Sequence, residues 1–317
     1  MWRRDKAVRG PERPGLADID PLNRVFSQAF TDRYRRDGMP GVRVPHLNPD
    51  VWRFALESAG DGAMVWRDGA GEIVAFNLAH RSGLEGWMGP LAVRPDRQGE
   101  GLGKEIVHAG VAWLQARGAR TIGLETMPRT VENIGFYSRL GFLPGHLTVT
   151  VTRPTEPGSA AGCSRLSLAA SRTETAAECA ALNSRVAPGV DFGRELALTA
   201  DLGLGDTTLY RRDGALAAYA LWHAAPLALG RPREDLRVLK LVAADLSAMH
   251  GVLAGVVDVG AAEGTERVTV RCETRHEEAY AGLLAGGWQT HWTDLRMTLA
   301  GSGEAEVSGV LFSNWEI

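Results

Sequence analysis

From Leu91 to Lys104 the chain reads Leu91-Ala92-Val93-Arg94-Pro95-Asp96-Arg97-Gln98-Gly99-Glu100-Gly101-Leu102-Gly103-Lys104, an apolar run that ends in a glycine-rich turn and opens a helical pattern. Glycines at 99, 101 and 103 let the backbone turn its N–H groups inward, and a helix N-terminus adds unpaired donors at the positive end of a dipole. Such a turn suits a phosphate. A nucleotide P-loop needs a glycine where Gln98 stands and a hydroxyl after the lysine, but Glu105 follows Lys104. A dinucleotide turn needs G-x-G-x-x-G, whereas Gly99 and Gly101 are followed by Leu102, Gly103 and Lys104. The spacing therefore disfavours both ATP and NAD.

Gln98-x-x-Gly101-x-Gly103 resembles the pyrophosphate motif of the GCN5-related N-acetyltransferase (GNAT) superfamily, Gln/Arg-x-x-Gly-x-Gly/Ala at a strand-to-helix junction. Two further segments carry the likeness: Gly89 to Pro95 resembles that family's fourth strand, and Asn133 to Phe142 resembles its later helix-and-strand motif ending in F-Y-x-x-x-G-F. The resemblance implies acetyl-CoA as co-substrate and an amine-bearing small molecule or peptide as acceptor. It implies that Gln98, Gly99, Glu100, Gly101, Leu102, Gly103 and Lys104 hold the pyrophosphate. Leu91, Ala92 and Val93 would pair with the pantetheine arm, and an N–H near Leu91 or Ala92 would meet the thioester carbonyl. Lys104 or Arg97 would reach a 3′-phosphate. Tyr137 falls where the family has a tyrosine that protonates the departing thiolate; the plain alternative is a core aromatic beside Phe136. The family's pantetheine-contacting asparagine, seven residues before that tyrosine, is Thr130 here, with Asn133 one turn before Tyr137.

An amine is protonated at neutral pH, so a base or a water chain must take a proton before attack. Glu125 ranks first because its strand flanks the family's splay; Glu85 and His80 are the other candidates. The acceptor wall is expected from the first two helices and nearby strands, with Phe30, Asp32, Tyr34, Trp52, Trp66 and Trp87, and with Asp32 or Glu57 placed to pair with an amine. A second functional class stays open, a CoA-binding regulatory module without turnover.

The elements that must position these residues can be read from periodicity. Leu22, Val25, Phe26, Ala29 and Phe30 predict a helix over 21–36, capped by Asp20. A short helix over 49–58 precedes strands at 63–67, 73–80 and 85–93; then come a helix at 101–117, a strand at 121–126, a helix at 130–140 and a strand at 147–152. Residues 1–14, with Pro11 and Pro14 and no periodicity, predict a frayed terminus. Thus 15–153 reads as one mixed α/β (α+β) GNAT-type domain and the Pro-, Gly- and Ala-rich stretch 154–164 as a linker. The rest repeats the pattern. Val74–His80 lines up with Ala217–His223, Glu125-Thr126 with Glu273-Thr274, and Gly141-Phe142 with Gly287-Trp288, at separations drifting around about 145 residues.

Residues 165–299 then form a second, degenerate GNAT-like domain: no glycine turn follows Leu241-Val242-Ala243, and Leu283 stands where Tyr137 does. That half is expected to bind no CoA and to shape the acceptor site. The tail, 300–317, includes an apolar stretch from Val307 that suits an added strand. Composition sets outer limits: 317 residues suit two domains, 44% hydrophobic residues suit a globular core, and a net charge of −3 offers no global basic field for nucleic acid. Cys163, Cys179 and Cys272 lack metal or disulfide spacings, and no run is long enough for a membrane span. The expectation is a cytoplasmic monomer or homodimer without a metal.

Overall fold

The computed structural model describes residues 7–314. The first half runs β1 (Val8–Glu12), α1 (Ile19–Arg36), α2 (Pro49–Ala59), β2 (Ala63–Asp68), β3 (Ile73–Ser82), β4 (Glu85–Val93), α3 (Leu102–Ala116), β5 (Thr121–Thr126), α4 (Val131–Arg139) and β6 (Phe142–Pro154). The second half repeats that order as β7 (Cys163–Arg165), α5 (Arg172–Val186), α6 (Gly193–Asp201), β8 (Gly205–Arg212), β9 (Ala215–His223), β10 (Asp235–Ala243), α7 (Leu246–Ala262), β11 (Arg267–Glu273), α8 (Glu277–Ala285) and β12 (Gln289–Leu299). Strand β13 (Val310–Ser313) follows. The aligned segments fall on β3 and β9, on the ends of β5 and β11, and on left-handed glycines after α4 and α8.

All strands join in one sheet ordered β1-β2-β3-β4-β5-β12-β6-β11-β10-β9-β8-β7, with β13 on β10. The order is nearly palindromic about the β12–β6 pair. Strand β12 of the second half lies beside β5, with Leu295 opposite Thr126, and β6 of the first half lies beside β11, with Val151 opposite Val270. The two halves expected on either side of 154–164 share one sheet, and each completes its part of it with a strand of the other. Residues 155–162 lack regular structure yet are tied down, Thr155 Oγ1 donating to the Thr265 carbonyl and the Ala160 amide to Asp258.

The N-terminal expectation also changes. Residues 8–12 pair with β2, and Pro11 fits there because an edge strand leaves one row of amides unused. Gly10 is required by packing, since a Cβ would sit 2.5 Å from the Trp66 ring. Residues 1–6 of the expected frayed terminus, and 315–317 of the expected C-terminal strand, lie outside the described residues. Helix α1 starts at Ile19, so Asp20 lies in its first turn and does not cap it, whereas Asn48 caps α2 by accepting from the Asp50 amide.

One face of the first half's sheet packs on α3 and α4 through Met64, Met88, Ile106, Leu124 and Met297, the last contributed by β12. The other face packs on α1 and α2 through Leu22, Val25, Trp52 and Phe76. At the seam sits a buried ionic network. Arg271 donates to Glu125 and, at 2.9 Å, to Asp294; Arg296 pairs with Glu125 at 2.8 Å, Glu304 at 3.0 Å and Glu273 at 3.5 Å, and stacks 3.9 Å from the Trp87 ring. The two pairs with Glu125 and the stacking on Trp87 cross between halves. Removing one partner of such a network strands the others without water, at a cost of about 3–5 kcal/mol. Arg296→Met is expected to lower unfolding stability by that amount while both halves still melt in one transition, read by calorimetry.

Candidate active site

Strand β4 is the element on which the site turns. Ala79 of β3 faces Met88, yet Asn77 faces Leu91, so Gly89 and Pro90 form a bulge. The buried His80 ring fixes it, with Nε2 donating to the Gly89 carbonyl at 3.0 Å and Nδ1 facing the Ser58 hydroxyl at 3.0 Å. Below the bulge β4 pairs with β5, Glu85 to Met88 against Thr121 to Leu124. Above it that pairing stops, while Leu91, Ala92 and Val93 still pair with β3. One backbone edge of β4 thus opens on a gap, as an added pantetheine strand requires.

At the top of β4 the turn has the form its sequence suggested. Gly99 has φ +80° and Gly101 φ +92°, conformations that side chains rarely adopt. Gly101 caps α3 without any side-chain hydrogen bond, and a Cβ there would meet nothing within 4 Å. The space over the helix N-terminus is open. Gln98 Nε2 donates to the Val93 carbonyl at 3.0 Å and so braces the turn against the strand. Leu102 is buried as a helix anchor, and Gly103 lets α3 approach Phe136, 3.3 Å from where a Cβ would be. Glu100 pairs with Arg97 at 2.9 Å, which withdraws Arg97 from the role of phosphate ligand, and Lys104 is exposed. The turn, the gap and the uncapped helix end fit a pyrophosphate carrying an extended arm.

Between β4, β5, α1 and α4 lies a cleft of about 520 Å³, lined by Leu91, Asn133 and Tyr137 among others. Tyr137 is 7% exposed, in ring contact with Phe136 and Phe142, and burial raises its phenol pKa so that it keeps its proton. Asn133 reaches Thr126 Oγ1 at 3.4 Å. Of the expected acceptor wall, Phe30, Tyr34 and Trp87 line this cleft. Trp52 and Trp66 are wholly buried core, Asp32 pairs with Arg35 and Arg36, and Glu57 pairs with Arg53.

The candidates for general base come out differently. Glu85 lies four residues before Gly89, about 13 Å along an extended strand, and accepts instead from Ser313 at 2.8 Å. It is outside the cleft. His80 faces the bulge, and burial pushes its imidazole down to about 3, so it stays neutral and serves as a brace. Glu125 does line the cleft, but it accepts from Arg271, Arg296 and the Thr148 hydroxyl. Despite burial, the two guanidiniums hold its carboxyl below the ordinary range, which makes it a poor proton acceptor and an electrostatic clamp between the halves.

Sequence reading expected the second half to shape the acceptor site but named none of the residues that do so. Arg271 of β11, Trp292 and Asp294 of β12, and Leu227 and Ala228 from the β9–β10 loop all line the same cleft. That loop is stitched to the segment before α2: the Asn48 amide donates to the Leu227 carbonyl and the Leu229 amide to the His46 carbonyl, each at 2.9 Å. The signal in sequence was slight, an aspartate and a tryptophan in a strand assigned to another domain.

The second half shows the same architecture filled from within. Strand β10 pairs with β11 only from Asp235 to Val238. Beyond that, Lys240 to Ala243 pair with Ser313 to Val310 of β13, so the C-terminal strand fills the gap that stays open beside Leu91. Asp245 stands where Gly101 stands in the first half, and its carboxylate accepts from the Ala248 amide at 2.8 Å and pairs with Arg212 at 2.6 Å. The protein's own carboxylate thus sits at that helix end.

The Glu125 clamp gives a pH test. Its folded-state pKa lies below the unfolded value of about 4.3, so its stabilisation is complete above that value and lost as pH falls through the folded pKa. Denaturant melts of the wild type and Glu125→Gln should differ most near pH 7 and converge in acid; a gap constant down to pH 2 would count against the clamp.

Among the described residues no helix is long and apolar enough to cross a membrane, and no cluster of three metal-ligating side chains occurs. Residues 26–142 match the acetyltransferase (GNAT) family. The chain is 30% identical over 126 residues to a mycothiol acetyltransferase of Actinosynnema mirum, covering 39% of this chain and 41% of that one. It spans about half the length of the mycothiol acetyltransferases it matches, 41% and 53% for two of them. A crystal structure of a putative acetyltransferase from Pyrococcus horikoshii superposes with a TM-score of 0.69 at 15% identity, covering 98% of this chain and 96% of that one. A tandem GNAT protein from the clavulanic acid biosynthesis pathway gives 0.59 at 15% identity over 96% and 99%. Residues 26–142 belong to the acetyltransferase (GNAT) family, in a chain with the fold of a tandem GNAT protein.

Proposed function

We propose that this protein is an N-acetyltransferase with one working site, in its first half, that transfers an acetyl group from acetyl-CoA to an amine in a ternary complex. Acetyl-CoA supplies the activated acyl group as a thioester. The observation that carries the reading is the open edge of β4 leading from the uncapped turn at Gly101 to the cleft at Tyr137. The amides of Gly99 to Gly103 bind the pyrophosphate, with Gln98 and Glu100 bracing the turn and Lys104 at its rim. The edge from Leu91 to Val93 receives the pantetheine arm, and Asn133 borders it.

In the transfer an N–C bond forms and the C–S bond breaks; the amine gives up a proton and the thiolate gains one. Tyr137 Oη keeps its proton in the buried cleft and holds it for the departing sulfur. The amine's proton leaves through cleft water, because Glu125 is held ionised by Arg271 and Arg296, and Glu85 lies elsewhere. The names of the mycothiol acetyltransferase relatives support the acetyl group, and the seal on the second half by β13 and Asp245 supports a single CoA per chain.

The test is release of free CoA thiol across an amine panel, with titration calorimetry of CoA. One CoA per chain is expected, and Gly101→Val should weaken its binding at least tenfold because the left-handed turn is lost. Tyr137→Phe should lower kcat about tenfold to a hundredfold with CoA affinity kept. CoA binding without thiol release on any amine would favour the non-catalytic regulatory module.

A further inference from the structure

Three apolar side chains that solvent should not reach so freely gather at one place. Val42 is 39% exposed, Leu227 37% and Trp292 36%, and all three line the cleft of the first half, although they come from the segment after α1, the β9–β10 loop and β12. Trp292 is the only aromatic among the exposed large apolar side chains of the described residues. It meets Tyr34 of α1 edge-on, ring centres 6.4 Å apart, across the boundary between halves. An apolar surface shared by three separate segments at the mouth of a cleft calls for an apolar ligand body.

Deeper on the same strand, Asp294 is 8% exposed and lines the cleft next to the end of β5, where Leu295 faces Thr126. Its Oδ2 accepts from Arg271 at 2.9 Å and its Oδ1 from Trp292 Nε1 at 3.3 Å. The carboxylate lines the cleft beside these partners, where an incoming ammonium would approach it. The cleft's charged lining is three arginines, Arg33, Arg43 and Arg271, against Glu125 and Asp294, a net positive lining that opposes a polycation.

We propose that the second half completes the acceptor site of the first: Asp294 receives the ammonium of the incoming amine and Trp292, faced by Tyr34, holds its body. The acceptor is then a monoamine with an aromatic or apolar body, not a polyamine. The exchanged strand β12 is the device that brings both residues to the first half's chemistry. This inference rests on the reading of the cleft as an amine-acylating site, and it predicts binding as well as turnover.

The experiment uses the full chain saturated with CoA and two probes, phenethylamine and spermidine, with binding read by calorimetry and turnover by thiol release with acetyl-CoA. Phenethylamine should bind, and be acetylated, at least tenfold better than spermidine. Trp292→Ala should raise the phenethylamine Kd and KM about tenfold, with kcat and CoA affinity within twofold of wild type. Asp294→Asn should raise both at least tenfold, and Asp294→Glu should restore part of the loss, which a general packing defect would not do. Phenethylamine binding without turnover would reject the catalytic reading and sustain this one. Preference for spermidine, no phenethylamine binding, or wild-type affinity in Trp292→Ala would overturn it.

Discussion

Strands β6 and β12 lie side by side from Phe142 to Thr152 and from Gln289 to Leu299, each separated from its own half's strands by the other, and this antiparallel seam governs the rest of the molecule. Because β12 borders β5 and β6 borders β11, neither sheet can close alone. Burying charge along the seam raises the cost of any other arrangement. Arg296, with 1% of its side chain exposed, would be intolerable without Glu125, Glu273 and Glu304, which come from both halves. The network contributes specificity of pairing more than raw stability, since a desolvated ion pair recovers little beyond what its burial costs.

The two halves show how one architecture takes opposite local forms through small changes. In both, the fourth strand of the repeat bulges and parts from its neighbour. In the first half the parted edge is left open and the following helix starts at a glycine with no side-chain cap. In the second, the chain between β10 and α7 is cut to Ala244 and Asp245, and β13 runs along Lys240 to Ala243. Exposed backbone amides must find partners. The first half's gap suits a ligand that supplies them, whereas in the second the protein supplies its own.

The legible part of the molecule was the part encoded locally. Helices and strands from Ile19 to Arg139 fall within a residue or two of their periodicity, because alternation and the three- or four-residue repeat report burial directly. The glycine turn was readable because positive φ values at Gly99 and Gly101 demand glycine whatever surrounds them. Less legible were the edge strand at Val8–Glu12, whose prolines mimic a frayed end, and β6, which starts at Phe142 though its first residues carry little alternation. Glu85 and Glu125 illustrate the limit. Both looked like available carboxylates, and what decided their roles was Ser313 in one case and two arginines in the other.

The sequence by itself determined a duplicated α/β fold, a glycine-rich turn with a tyrosine behind it, and the loss of both features in the second copy, since these depend on residue types within short windows. Only the tertiary structure decided which partner each final strand takes, and with it that Arg271, Trp292 and Asp294 face the first half's cleft. The physical reason is that β6 and β12 present equivalent edges to both sheets: local pattern specifies a strand, while its choice of neighbour depends on long-range packing and on burying the Glu125, Arg271 and Arg296 charges together.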